Sequence, residues 1–156
     1  MINILVALSN LVTLPLIYNN SSPFKYFMIF PMLASFFYHL GETKHGLPGV
    51  YPLNRYDKRL LNVDRFFAVA SGLAVIGSIF THPEFLTTKF LIIGILGLTS
   101  VALSLLYSER DYLQNILIKY ELPYKWTNVS PFEFFISHSI WHFAAFYCLD
   151  LSIRYS

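Results

Sequence analysis

His138 and His142 stand four residues apart in the apolar run Phe134-Phe-Ile-Ser-His-Ser-Ile-Trp-His-Phe143. A helix turning once per about 3.6 residues stacks them on one face, at a depth where no water satisfies a polar side chain. Such a pair suits a metal ion, and it equally suits two neutral imidazoles bonded to neighbouring helices. Ser35 and His39 form a second pair one turn apart in Ser35-Phe-Phe-Tyr-His39, and Asp64 stands in Leu61-Asn-Val-Asp-Arg-Phe66. Three imidazoles beside a carboxylate and a hydroxyl fit a catalytic zinc, which takes three nitrogen ligands and keeps a fourth position for a water whose pKa falls to about 7. In that reading the water is the nucleophile. Asp64 deprotonates it or anchors a ligand imidazole, and Ser35 donates a hydrogen bond to the water or the developing oxyanion. The same residues can instead form a hydrogen-bond network gluing helices together, with Asp64 as a helix N-cap or a partner of Arg65.

The elements that must bring these groups together are apolar. Hydrophobic residues make up 55% of the 156 and charged residues only 13%, and mean hydropathy is +0.51; a soluble domain carries about a quarter charged residues. The expectation is an integral membrane protein, all-α, built as one polytopic bundle of five helices over residues 1–156. The stretches run roughly 2–18, 24–40, 61–80, 88–107 and 132–153, each near the roughly 20 residues that cross about 30 Å of hydrocarbon. The first could also be read as a signal peptide, but it lacks a basic leading region and Asn10 interrupts it, so a retained helix is expected. Gly72, Gly77, Gly94 and Gly97 fall in the third and fourth stretches, where small residues let helices approach closely. The single cysteine, Cys148, lies in an apolar segment, which excludes an intramolecular disulfide and points to packing. A net charge of +2 without a basic run interleaved with aromatics gives no sign of nucleic-acid binding.

Each helix reverses the chain, so the end of the second and the starts of the third and fifth face one side of the membrane. Parity therefore gathers Ser35, His39, Asp64, His138 and His142 in one leaflet, with Asp64 as the one acidic residue expected beside the histidines near a helix start. That side carries Lys44, Arg55, Lys58, Arg59, Arg65, Arg110, Lys119 and Lys125, and the other only Lys25, Lys89 and Arg154. The bias predicts that the N-terminus and the site are cytoplasmic. Residues 108–130 are too polar to span, and Tyr112–Tyr120 could form a short interfacial helix over the mouth of the site or a solvated loop.

Ser-x-x-x-His near one helix end, Asp at the start of the next helix and His-x-x-x-His in the last, in that order, resemble the CREST superfamily of membrane hydrolases. That group includes alkaline ceramidases, progestin and adipoQ receptors, GPI-lipid-remodelling proteins and myomaker-like proteins. The resemblance covers about residues 25–82 and 130–153. It implies His39, His138 and His142 as zinc ligands with Asp64 and Ser35 completing the catalytic site, and a membrane lipid amide or ester as substrate. His138-Ser-Ile-Trp-His142 is similar to the GPI-remodelling and ceramidase branches, whereas Ser-Phe-Phe-Tyr-His followed by Tyr56-Asp57 is similar to the myomaker-like branch. The family has seven helices and five are expected here; losing a pair between the Asp-bearing and last helices preserves parity, so the site can still assemble. A member serving as a receptor or membrane-remodelling factor, with the metal as a structural staple, is the alternative expectation.

Overall fold

Among the described residues the chain forms five helical segments and no strand. The computed structural model describes residues 2–43, 48–108, 119 and 131–155. Helix α1 spans Ile2–Asn19. It contains a 3-10 turn at Asn10–Val12, where Pro15 removes an amide donor and its ring crowds the carbonyl of Leu11. Helix α2, Ile29–Gly41, is entered through a 3-10 turn at Pro23–Met28 that Ser22 caps by accepting from Phe24 N. Helix α3, Asp57–Thr81, stops as the chain approaches Pro83. Helix α4, Thr88–Ser108, is capped where Thr87 Oγ1 accepts from Phe90 N at 3.2 Å. Helix α5, Pro131–Arg154, starts on proline, whose missing N–H costs nothing in a first turn. The expected helix over Tyr112–Tyr120 falls, apart from Lys119, outside the described residues.

Helix α5 is the hub: α1, α3 and α4 pack on it, and α2 packs on α1 and α3. Ile17, Met28, Met32, Phe146, Leu149 and Ile153 join α1, the α2 region and α5 in one apolar cluster. Phe90 and Cys148 form another between α4 and α5, consistent with a packing role for the cysteine. Short polar side chains bridge the helices: Ser78 Oγ to Ser152 Oγ at 2.6 Å and Ser104 Oγ to Ser137 Oγ at 3.2 Å. At the end remote from the histidines, Asp150 accepts from Asn20 Nδ2 at 2.6 Å and from Arg154 Nε at 2.8 Å, tying the end of α1 to α5.

Gly97 behaves as a packing glycine, since a Cβ there would lie 2.7 Å from Ala144 Cβ across the α4–α5 contact. Gly72, Gly77 and Gly94 do not: a Cβ at any of them would meet nothing within 4 Å. The expectation of close helix approach fails at these three because α3 and α4 each lean on α5 and leave a space between them. The outer faces are strongly apolar, with Phe66 66%, Phe80 82% and Ile92 54% exposed. Ile2–Asn19 and Leu53–Thr81 are long and apolar enough to cross a membrane, and Thr88–Ser104 is a shorter apolar stretch.

Candidate metal centre

The three histidines converge. His39 lies in the last turn of α2, and His138 and His142 are stacked on successive turns of α5. Ring centroids are 4.5 Å apart for His39–His138, 4.5 Å for His138–His142 and 5.4 Å for His39–His142. One nitrogen from each lies within 4.8 Å of the others, so the group could hold a metal ion. His39 and His142 are buried, and His138 packs its ring against Phe134 at 5.1 Å.

The alternative of imidazoles satisfied by neighbouring helices can be tested atom by atom. His39 Nε2 and His138 Nδ1 are buried with no hydrogen-bond partner among the described residues. The large majority of buried side-chain polar atoms are hydrogen-bonded, and an exception calls for a water, an ion or another specific cause. His142 is bonded at both nitrogens, to Ser9 of α1 and Ser35 of α2, as that alternative expects, whereas the orphaned nitrogens of His39 and His138 leave places for an ion, and an imidazole donor set suits zinc as it does copper, iron or nickel. The residues fit the group.

Ser35 joins the cluster as expected, its Oγ 3.1 Å from His142 Nε2. Asp64 faces the Ser35 hydroxyl and the His39 imidazole and is not among the three groups that could hold an ion. Its position in the helix differs from the expectation. Helix α3 begins at Asp57, because Leu53–Tyr56 winds a 3-10 turn into it, so Asp64 is two turns inside and cannot be an N-cap. The polar stretch Asp57-Lys-Arg hides that start from a hydropathy reading.

Asp64 is also not the one carboxylate beside the histidines. Glu42, the residue that ends α2, is buried, and its Oε2 lies 3.0 Å from His39 Nδ1 while its Oε1 accepts from Tyr38 OH at 3.2 Å. Its place three residues after His39 was visible in the sequence, but a glutamate next to a glycine reads as loop. Burial follows from the close approach of the following chain: a Cβ on Gly41 would lie 2.9 Å from both Leu53 O and Leu60 Cδ1. Ser9 of α1 was missed too. Its Oγ lies 2.7 Å from His142 Nδ1 and donates to Val6 O at 2.6 Å, a contact across 133 positions of chain that no local signal announces.

The site opens into an apolar cavity of about 540 Å³ between α3, α4 and α5. Ser35, Asp64, His138 and His142 stand at its polar end; Val75, Ile79, Phe90, Ile95 and Leu149 are among the apolar residues along its walls, and Gly72 and Gly94 widen it. No family model matches the chain, and no curated protein or solved structure is significantly similar to it.

Proposed function

We propose that this chain is a multi-pass membrane protein that hydrolyses an amide or carboxylic ester bond of a lipid at a zinc ion held by His39, His138 and His142. The reading rests on one observation above the rest: a buried imidazole nitrogen of His138 without a partner, beside that of His39, at the polar end of an apolar cavity. A large exposed apolar surface on α3 and α4 supports a lipid surround, since soluble monomers rarely carry contiguous apolar patches beyond a few hundred Å². The residue pattern that resembles the CREST hydrolases agrees with it.

Bound zinc supplies a Lewis acid and a water acidified toward neutral pH. The chain's own residues do the rest. The cavity holds the acyl chain so that its carbonyl lies at the histidine end. With the ion in place, Asp64 would accept the proton of the water that adds to the acyl carbon. That proton passes to the leaving nitrogen or oxygen as the bond breaks, giving a free fatty acid and an amine or alcohol. Ser35 donates a hydrogen bond to the oxyanion formed on the way. The positive bias of the loops on the site's side orients the N-terminus and the site toward the cytoplasm. The competing reading, a structural zinc in a receptor or membrane-remodelling factor, calls for a closed site, and the cavity argues against it.

The test is elemental analysis of purified protein together with a screen for fatty acid released from ceramides, phospholipids and GPI lipids. One zinc per chain and release from one lipid class are expected. Zinc without release across all three classes would transfer the case to the structural reading, and a metal-free protein would end both.

A further inference from the structure

We infer that Glu42 and Ser9 are positioning residues that lock the tautomers of His39 and His142, so that each imidazole keeps its Nε2 lone pair for a metal ion. The inference rests on the metal reading above and goes beyond it by assigning roles to two residues outside the ligand set.

The argument for His142 is a count of hydrogens. Ser9 has one hydroxyl hydrogen, and it is committed to Val6 O at 2.6 Å. Toward His142 Nδ1, 2.7 Å away, the same oxygen can therefore only accept. His142 then carries its proton on Nδ1, and its Nε2 lone pair accepts the Ser35 hydroxyl hydrogen at 3.1 Å until a metal ion takes that place and the hydroxyl turns to Asp64. For His39 the argument is one of acceptors. A carboxylate only accepts, so Glu42 Oε2 at 3.0 Å requires the hydrogen on His39 Nδ1. That leaves Nε2 as the bare nitrogen, the same atom that is buried without a partner. Two independent contacts, one from the end of α2 and one from α1, thus impose the same tautomer on two ligands.

Glu42 does more than point a proton. It is buried, and both of its oxygens are engaged, one by His39 and one by Tyr38. Held this way it cannot swing away, and it sets a negative charge behind the imidazole, which raises the basicity of the ligating nitrogen. Ser9 is neutral and contributes orientation alone. The two positions are therefore expected to respond differently to substitution.

The experiment has two readouts. In zinc-free protein labelled with ¹⁵N-histidine, imidazole nitrogen shifts distinguish a protonated from a bare nitrogen. Wild type should show Nδ1–H for His39 and His142; Glu42→Ala should release His39 toward Nε2–H, and Ser9→Ala should do so for His142. In purified protein, competition with a chelator should show zinc bound about 10- to 100-fold more weakly in Glu42→Ala, and less weakly in Glu42→Gln, whose amide oxygen still accepts from Nδ1 without the charge. Ser9→Ala should show the smaller loss of the two alanine variants. Wild-type histidines in the Nε2–H form overturn the inference directly, whether or not zinc binds. Zinc-binding wild type with unchanged affinity in both alanine variants overturns it while leaving the metal reading intact. A wild type that takes up no zinc but shows both Nδ1–H tautomers overturns the metal reading, and the role of the pair toward a metal falls with it. Should Glu42→Ala not fold, Glu42→Gln and Ser9→Ala decide the matter by the same two measurements.

Discussion

At the scale of single residues, the proposed function divides the cluster into groups that would hold the metal and groups that would serve the reaction. His39, His138 and His142 offer three nitrogens that could hold an ion, so on the proposed reading replacing any one by alanine is expected to abolish stoichiometric zinc in elemental analysis. Retention of full metal in one variant would exclude that histidine from the ligand set. Asp64 is different, because it faces Ser35 and His39 without belonging to the ligand group. Asp64→Asn preserves shape and is expected to keep zinc and fold while lowering turnover by about 10²–10⁴-fold, the range of general acid–base catalysis. Wild-type turnover in a zinc-loaded Asp64→Asn protein would remove the carboxylate from the mechanism. With α3 starting at Asp57, loss of a helix cap is no longer available as an explanation of the phenotype.

At the scale of elements, α5 carries two of the three histidines, and its seating against α4 depends on Gly97. A methyl group there would lie 2.7 Å from Ala144 Cβ, an atom next to the backbone that cannot move aside. Gly97→Ala must therefore push the helices apart and is expected to cost about 1–3 kcal/mol, the usual range for overpacking, seen as a lower midpoint of thermal unfolding in detergent. Adding Ala144→Gly should recover most of the loss. Gly94→Ala, three residues away on the same helix and facing open space, should leave the midpoint unchanged or raise it slightly. Equal effects at the two positions would mean that α4 and α5 do not pack as described.

At the scale of the whole molecule, the space between α3 and α4 makes a further distinction possible. Gly72 and Gly94 both line the cavity and have room for a larger side chain. Gly72→Leu and Gly94→Leu are expected to fill it and to lower lipid hydrolysis about tenfold or more, the factor carried by about 1.4 kcal/mol of lost binding, with zinc content unaltered. Undiminished hydrolysis in both would show that the acyl chain lies elsewhere. Orientation is open to an independent check through Glu84, which is exposed in the short turn between α3 and α4, at the end opposite the histidines. A cysteine at that position in a Cys148→Ala background should react with an impermeant thiol reagent in intact cells. Protection there, with labelling only after permeabilisation, would place the metal centre on the outer face.

How much of this was legible in the sequence varies with the range of the interaction. Helix existence was legible, because apolar stretches of about 20 residues are a local property, and each of the five appears within a few residues of its expected span. The meeting of His39, His138 and His142 was legible as well, since alternating helix direction is a matter of parity. The start of α3 was obscured by charged residues that a hydropathy reading counts as loop, although Asp57-Lys-Arg is helical. Only the tertiary structure decided the rest. Glu42 becomes a partner of His39 because Gly41 before it lies against Leu53 and Leu60. Ser9 reaches His142 because α1 packs on α5, and three of four glycines line open space because α3 and α4 both lean on α5. Periodicity records which residues avoid water along one helix; it carries no information on which helix stands opposite, and these contacts depend on that choice.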